Sequence, residues 1–255
     1  MNPKEIIAIA RTVVMNANLS ALLLLRRPRE AAYYVSECGF LKRALFPNRD
    51  LPQRQVYEVF GDQDLCVTIL PKIAAEWMRP VGSFTADLLA LCMICRAIKP
   101  KMIFEIGTFH GAGTLHLAAN APEAEVFTLD LPLESAAALN VTAVDSLHIA
   151  ARTRADWLSG AKRISRVYGD SATFDFSPWR GKIDLFFIDG AHSYEYVRND
   201  TLKALDCCRP NGVIAWHDYG RVGVNGVSRW LHEFARQGRQ VSRVPGGSLA
   251  YYIKH

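Results

Sequence analysis

Residues 102–114 read Met-Ile-Phe-Glu-Ile-Gly-Thr-Phe-His-Gly-Ala-Gly-Thr. An apolar run ends beside an acid, turns through spaced glycines and enters a stretch of helical character over Ala112–Asn120. A second apolar run, Val126–Leu129, ends in Asp130. Strand, glycine turn, helix, strand and terminal acid form the unit with which an open α/β sheet holds a nucleoside. The glycines let the backbone approach the ligand, and the acid at the next strand's end accepts from ribose hydroxyls.

The glycine spacing narrows the ligand. The nicotinamide dinucleotide fingerprint is G-x-G-x-x-G, with a helix N-terminus facing a pyrophosphate. This chain has Gly107, Gly111 and Gly113, and Phe109 stands where that fingerprint wants its second glycine. Glu105 adds a negative charge beside the turn, poor company for a diphosphate and a good partner for an ammonium group. S-adenosylmethionine (SAM) has no phosphate and carries an amino-acid end and a sulfonium, so the turn favours SAM over a dinucleotide. The bland alternative is a tight strand-to-helix turn that binds nothing.

From Met102 onward the pattern alternates. Strands are expected at Met102–Ile106, Glu125–Leu129, Ile164–Tyr168, Ile183–Ile188 and Gly212–Trp216. Helices are expected at Ala112–Asn120, within 134–159 and at Tyr194–Cys208. Such alternation implies a doubly wound α/β fold, a mostly parallel sheet with helices on both faces. A helix near Val227–Gln237 then leads to strands at Gln240–Val244 and Leu249–Ile253 around Pro245-Gly246-Gly247. That pair reads as an antiparallel hairpin closing the sheet edge, for seven strands in all. Before Met102, a helix is expected from Gly82-Ser83 to about Ile98, stopped by Lys99-Pro100.

In such a sheet, ligands bind beyond the carboxyl ends of the strands. Those ends carry Gly107 to Gly113, Asp130, Gly169-Asp170-Ser171, Asp189-Gly190-Ala191-His192 and His217-Asp218-Tyr219. Five polar ends in order point to one crevice. His192 and His217 each read equally as scaffold groups hydrogen-bonded beside a turn. Tyr194, Tyr196 and Asp200, on the following helix, read as packing or capping residues. The long connection over 132–160 reads either as a lid or as a solvent-facing helix.

The segments Glu105-Ile106-Gly107-Thr108-Phe109-His110-Gly111, Gly169-Asp170-Ser171, Phe187-Ile188-Asp189-Gly190-Ala191-His192-Ser193-Tyr194 and Trp216-His217-Asp218-Tyr219 resemble class I SAM-dependent methyltransferases. The likeness is to the branch related to catechol-type and macrocin-type O-methyltransferases, and it spans roughly residues 82–255. It implies a seven-stranded, Rossmann-like methyltransferase sheet over residues 81–255 and a small-molecule hydroxyl, of a sugar or natural product, as acceptor. The cofactor turn would comprise Glu105, Gly107, Thr108, Phe109 and Gly111, with Glu105 and Gly107 at the methionine portion. Asp130 would hold the ribose, Asp170 and Ser171 the adenine, and Asp189 the sulfonium crossing. Metal-dependent members place a cation, commonly magnesium, at positions corresponding to Asp189 and Asp218, with His217 beside them. His217-Asp218 departs from the acid-acid or acid-amide pair of those relatives, and histidine suits a softer ion than magnesium. Without a metal, His192 is the expected base, with Asp189 and His217 completing the catalytic group. The competing readings are a nicotinamide oxidoreductase and a SAM-binding scaffold without turnover.

Residues 1–80 match no motif of that family. They read as an N-terminal helical extension, a cap or dimer contact, and self-association is expected. Nine Lys/Arg against five Asp/Glu in residues 1–60 account for most of the net charge of +5. No basic stripe interleaved with aromatics argues for nucleic acid. The apolar run Leu19–Leu25 is too short to span a bilayer and leaves only a peripheral membrane contact open. Cys92-x-x-Cys95 lies in an apolar helical run and reads as a buried face. Cys207-Cys208 does not supply the second spaced pair of a zinc site. Six free thiols suggest a reducing cytoplasm.

Overall fold

The computed structural model describes residues 50–61, 66–70, 83–132, 161–221 and 223–255, together with residues 21, 25, 26, 73 and 158. Cys38 and most of the Leu19–Leu25 run, of the expected 1–80 extension and of the helix expected within 134–159 lie outside the described residues.

The elements in chain order are α1 (Val56–Phe60), α2 (Ser83–Ile98), β1 (Met102–Ile106), α3 (Ala112–Asn120), β2 (Glu125–Asp130) and β3 (Ile164–Tyr168). They continue with β4 (Ile183–Ile188), α4 (Tyr194–Cys207), β5 (Cys208–Trp216), α5 (Asn225–Arg236), β6 (Ser242–Arg243) and β7 (Ala250–Ile253). The sheet has seven strands in the order β3-β2-β1-β4-β5-β7-β6. β1 to β5 run parallel, and β7 is antiparallel to both β5 and β6. The doubly wound sheet and its antiparallel C-terminal edge are therefore as the sequence implies.

The central strands are continuous apolar runs because both faces are covered. All six residues of β4 are buried. On one face α4 and α5 close a core containing Phe104, Phe186, Ile214, Trp216, Trp230 and Phe234. On the other, α1, α2 and α3 cover Ile103, Val126, Leu185, Val213 and Tyr251. Cys95 lies in that second core; Cys92 is also buried, and burial pushes its thiol up to about 12. Among the described residues no helix is long and apolar enough to cross a membrane.

Two boundaries differ from expectation for physical reasons. β5 starts at Cys208 rather than Gly212. The β4–β5 register jumps from Ile183↔Cys208 to Leu185↔Val213, so Pro210 sits in a bulge, where a missing N–H costs no ladder bond. Asp184 secures that bulge by pairing with Arg209, and it also accepts from the N–H groups of Lys101 and Met102 at 2.7 and 2.8 Å. β7 starts at Ala250 rather than Leu249, because Asp87 on α2 takes the Leu249 N–H. Its Oδ1 accepts from the N–H groups of Ser248 and Leu249 at 2.7 and 2.8 Å.

Part of the chain before α2 is fastened to this framework. Gln53 bridges to Arg243 beside β6, and the Arg54 N–H donates to the Arg243 carbonyl at 3.1 Å. Arg243 and Asp50 form a buried ion pair at 2.6 Å, and the Tyr219 hydroxyl donates to Asp50 at 2.9 Å while accepting the Leu51 N–H at 3.0 Å. Residues 66–70 lie along α3, where Asn120 exchanges two hydrogen bonds with Thr68 and His116 accepts the Leu70 N–H. Removing one partner of a buried ion pair strands the other charge. Asp50→Ala is expected to lower the unfolding free energy by ~3 kcal/mol in urea denaturation.

Candidate active site

The site begins with register. Ile106 pairs with Leu129 on one side and Ile188 on the other, Ile188 pairs with Trp216, and Asp130 pairs with Tyr168, so five strands finish level. The first residue past each end then adds one more ladder bond. Gly107 N–H donates to Leu129 O (2.9 Å), Gly169 to Asp130 O (3.0 Å), Asp189 to Ile106 O (2.8 Å) and His217 to Ile188 O (3.1 Å). These bonds line up the residues singled out from the sequence along one sheet edge.

Gly107 makes the sharpest turn. Its φ is +101°, and a Cβ there would lie 2.0 Å from the Asp189 carbonyl oxygen, so only glycine lets the first and fourth strand ends meet. Phe109, at φ +50°, also sits in the left-handed region. Gly111 caps α3 with φ +86°, and Leu158 packs over it.

Glu105 is 1 % exposed and points into the turn. Its Oε2 accepts from the Thr114 hydroxyl and, at 2.6 Å, from Thr128, whose hydroxyl also meets that of Thr108 at 2.6 Å. Burial pushes its carboxyl up to about 8. The two threonine bonds oppose that shift, and the charges of Asp189 and Asp130 add to it. Three acids from three strands thus stand within one another's field.

Glu105, Gly107, Thr108, Asp189 and His217 line one cavity together with Asp87. Phe109, Leu88, Leu91, Phe187 and Leu249 supply apolar wall. Asp130, Asp170 and Ser171 stand outside that cavity, on the β2 and β3 side of the edge. Asp130 accepts from Arg166 Nη2 at 3.0 Å and from the Leu131 N–H at 3.0 Å. Asp170 organises its own loop by accepting the Ala172 N–H at 2.9 Å.

His217 sits among three carboxylates. Its Nδ1 is 3.0 Å from Asp189 and 3.2 Å from Asp218, and its Nε2 is 3.2 Å from Asp87. Burial alone would lower its pKa, but the Asp189 and Asp218 charges and the bonds to Asp189 and Asp87 together hold it well above the ordinary histidine value. The surrounding carboxylates thus favour the protonated ring. Asp218, at φ +63°, touches His192 Nε2 at 2.7 Å and accepts from Arg221 Nη1 at 2.6 Å. Burial would raise its pKa, but the His217, His192 and Arg221 interactions hold it well below the carboxylate range.

Residues 104–219, from β1 to just past β5, match the family described as "Methyltransferase domain". That stretch, which carries the strand ends just described, is a methyltransferase domain. Solved structures share its fold. The SAH-bound methyltransferase PaMTH1 from Podospora anserina is 18% identical, with 74% of this chain and 89% of that chain covered and a TM-score of 0.51. The calicheamicin methyltransferase CalS11 is 14% identical, with 78% and 89% covered and a TM-score of 0.52. A candidate caffeoyl-CoA O-methyltransferase from Staphylococcus aureus is 17% identical, with 78% and 97% covered and a TM-score of 0.51. No curated protein matches the sequence significantly. The family match leaves the nicotinamide and scaffold readings without support.

The site adds three features to what the sequence led us to expect. The trio able to offer one ligand atom each, all within 4.8 Å, is Asp189, His192 and Asp218. His192 thus joins the two acids in that trio, and the expected His217 Nδ1 also lies 3.0 and 3.2 Å from the same two carboxylates. Sequence reasoning also missed Asp87. The one signal was a lone acid in the apolar helical stretch Thr85-Ala86-Asp87-Leu88-Leu89-Ala90-Leu91. Gly226 escaped notice too, although a Cβ there would lie 2.2 Å from the His192 carbonyl oxygen, so α5 packs directly on the His192 loop.

Gly107 and Gly181 both have positive φ, but a Cβ at Gly181 would meet nothing within 4 Å. Gly181→Ala is expected to cost about 1 kcal/mol for its left-handed backbone alone. Gly107→Ala should cost clearly more in parallel urea titrations, because it adds a backbone collision.

Proposed function

We propose that this methyltransferase moves the methyl group of SAM to a hydroxyl of a small molecule, with a sugar or natural product as the acceptor class. One observation carries the reading. The acids Glu105, Asp130 and Asp189 come together beside the Gly107 turn, forming an edge hostile to phosphates and suited to an ammonium, a ribose and a sulfonium. CalS11, which shares the fold, is a TDP-rhamnose 3'-O-methyltransferase. Free thiols among the described residues fit a reducing compartment such as the cytoplasm.

In this reading Glu105 and Gly107 take the methionine portion, Thr108, Phe109 and Gly111 shape the turn, Asp130 holds the ribose, and Asp170 with Ser171 faces the adenine. Asp189 stands by the sulfonium. Methyl transfer requires the acceptor oxygen, methyl carbon and sulfur in line, so positioning supplies much of the rate. The acceptor's proton goes to His192. The ionised Asp218 on one of its ring nitrogens raises the basicity of the other and stabilises the imidazolium that forms. His217 lies between the Asp189 and Asp218 carboxylates, which favour its protonated form.

Asp189, His192 and Asp218 also fit a divalent ion, and the imidazole in the set suits manganese, iron or zinc better than magnesium. When bound there, the ion would lower the acceptor hydroxyl's pKa and engage His192 as a ligand. Chelation separates the two readings. Turnover is expected to survive exhaustive dialysis against chelator and to fall by about 10²-fold or more in His192→Ala. Loss on chelation, restored by manganese, would instead select the metal.

S-adenosylhomocysteine (SAH) titrated calorimetrically tests the cofactor reading. An ammonium beside Glu105 favours its ionised form, so the complex holds fewer protons than the free protein. Affinity should therefore climb as pH rises toward about 8, by up to tenfold per pH unit, and the climb should vanish in Glu105→Gln. Binding of NADH in place of SAH would end the reading.

A further inference from the structure

Three consecutive residues of α4 reach three different parts of the sheet edge. Asn199 Nδ2 donates to the Ser171 carbonyl at 3.1 Å, in the loop after β3, and to Asp200 Oδ1 at 3.1 Å. Thr201 Oγ1 accepts from the indoles of Trp216 on β5 and Trp230 on α5 at 2.9 and 2.8 Å. Asp200 lies between them and is 0 % exposed. A Cβ on Gly190 would be 3.9 Å from its Oδ2, so the carboxyl sits directly under the turn that follows β4. That Oδ2 has no hydrogen-bond partner among the described residues.

Stability alone does not account for this carboxyl. A fully buried acid is costly unless it is paired. Here burial, with the nearby charge of Asp170, pushes it up to about 7, while hydrogen bonding from Ser171 and Asn199 draws it down. Those two stabilising partners both belong to the contact between α4 and the loop after β3. The acid is thus held by the loop on the adenine side and lies beneath the turn that carries Asp189.

We propose that Asp200 is a positioning residue for cofactor binding, fixing the loop after β3 against the turn after β4. It rests on the SAM reading given above. Asp200 does not touch the cofactor. It sets the separation between Asp170–Ser171 and Asp189, the groups assigned to the two ends of the adenosyl unit. A cofactor bridging both ends then meets a span that is already fixed.

The test is a double-mutant cycle on the full chain, with SAH as the probe. Wild type, Asp200→Asn, Asn199→Ala and the double variant are titrated calorimetrically, and thermal unfolding is recorded for each. Each single change is expected to weaken SAH about tenfold. The double variant should be little weaker than either single, because both remove one clamp. Turnover at saturating SAM should stay within about twofold of wild type, moving KM and not kcat, which a general loss of packing would not do. Asn199 is only half-buried, so its variant decides the matter alone if Asp200→Asn does not fold. Unchanged SAH affinity in a folded variant, or fully additive losses, overturns the clamp. Failure of wild type itself to bind SAH strikes the cofactor reading first, and the clamp with it.

Discussion

Everything at the candidate site depends on the level finish of five parallel strands. Parallel ladders place successive strand ends side by side only when their registers agree, and here the four ladder bonds beyond the ends extend that agreement by one residue. Without them, acids separated by some 80 residues of sequence would have no common geometry. With them, burial raises the Glu105 carboxyl's pKa, and the charges of Asp189 and Asp130 add to the rise. Gly107 is the point of least tolerance, because the backbone of the first strand's exit passes against the carbonyl of the fourth.

The electrostatics of the edge follow from crowding acids into a dry place. Three carboxylates, from α2, β4 and β5, surround His217, and their combined pull exceeds the cost of burying its charge. One histidine ring thereby bridges groups that would otherwise repel. Arg221 does the same for Asp218 on the outer side. Arg166 plays the part for Asp130, reaching from β3 to the carboxylate and, at 3.4 Å, to the Phe109 carbonyl. Each acid assigned to the cofactor or the transfer thus has a cation or hydroxyl that keeps it in place.

Much of this was legible in the sequence, and the reason is local. Strands buried on both faces are unbroken apolar runs, and the first residue after each run is where a ligand meets the sheet. That logic recovers β1, β3 and β4 to the residue and places Gly107, Asp130, Asp170, Asp189 and His217 at strand ends. What sequence could not supply is contact across long separations. Asp87 is 161 residues from Ser248, its hydrogen-bond partner, and nothing near it in the chain announces that pairing. The pairing of His192 with Asp218 has the same origin. Both histidines follow strands, and only the neighbouring helix and loop decide which ring is already held. The bulge of β5 was hidden because the apolar run begins only after Gly212, whereas the Asp184–Arg209 pair keeps the residues before it in the sheet.

The segment around Gln53 has a consequence beyond stability. A sheet that ended at β6 would offer a row of unsatisfied amides and carbonyls to any passing extended chain. Residues 52–54 lie along that rim and consume its hydrogen bonds, and the Asp50–Arg243 pair pins them there. The outermost strand is in this way shielded from stacking against a second molecule, so that side of the protein resists the edge-to-edge growth that begins aggregation.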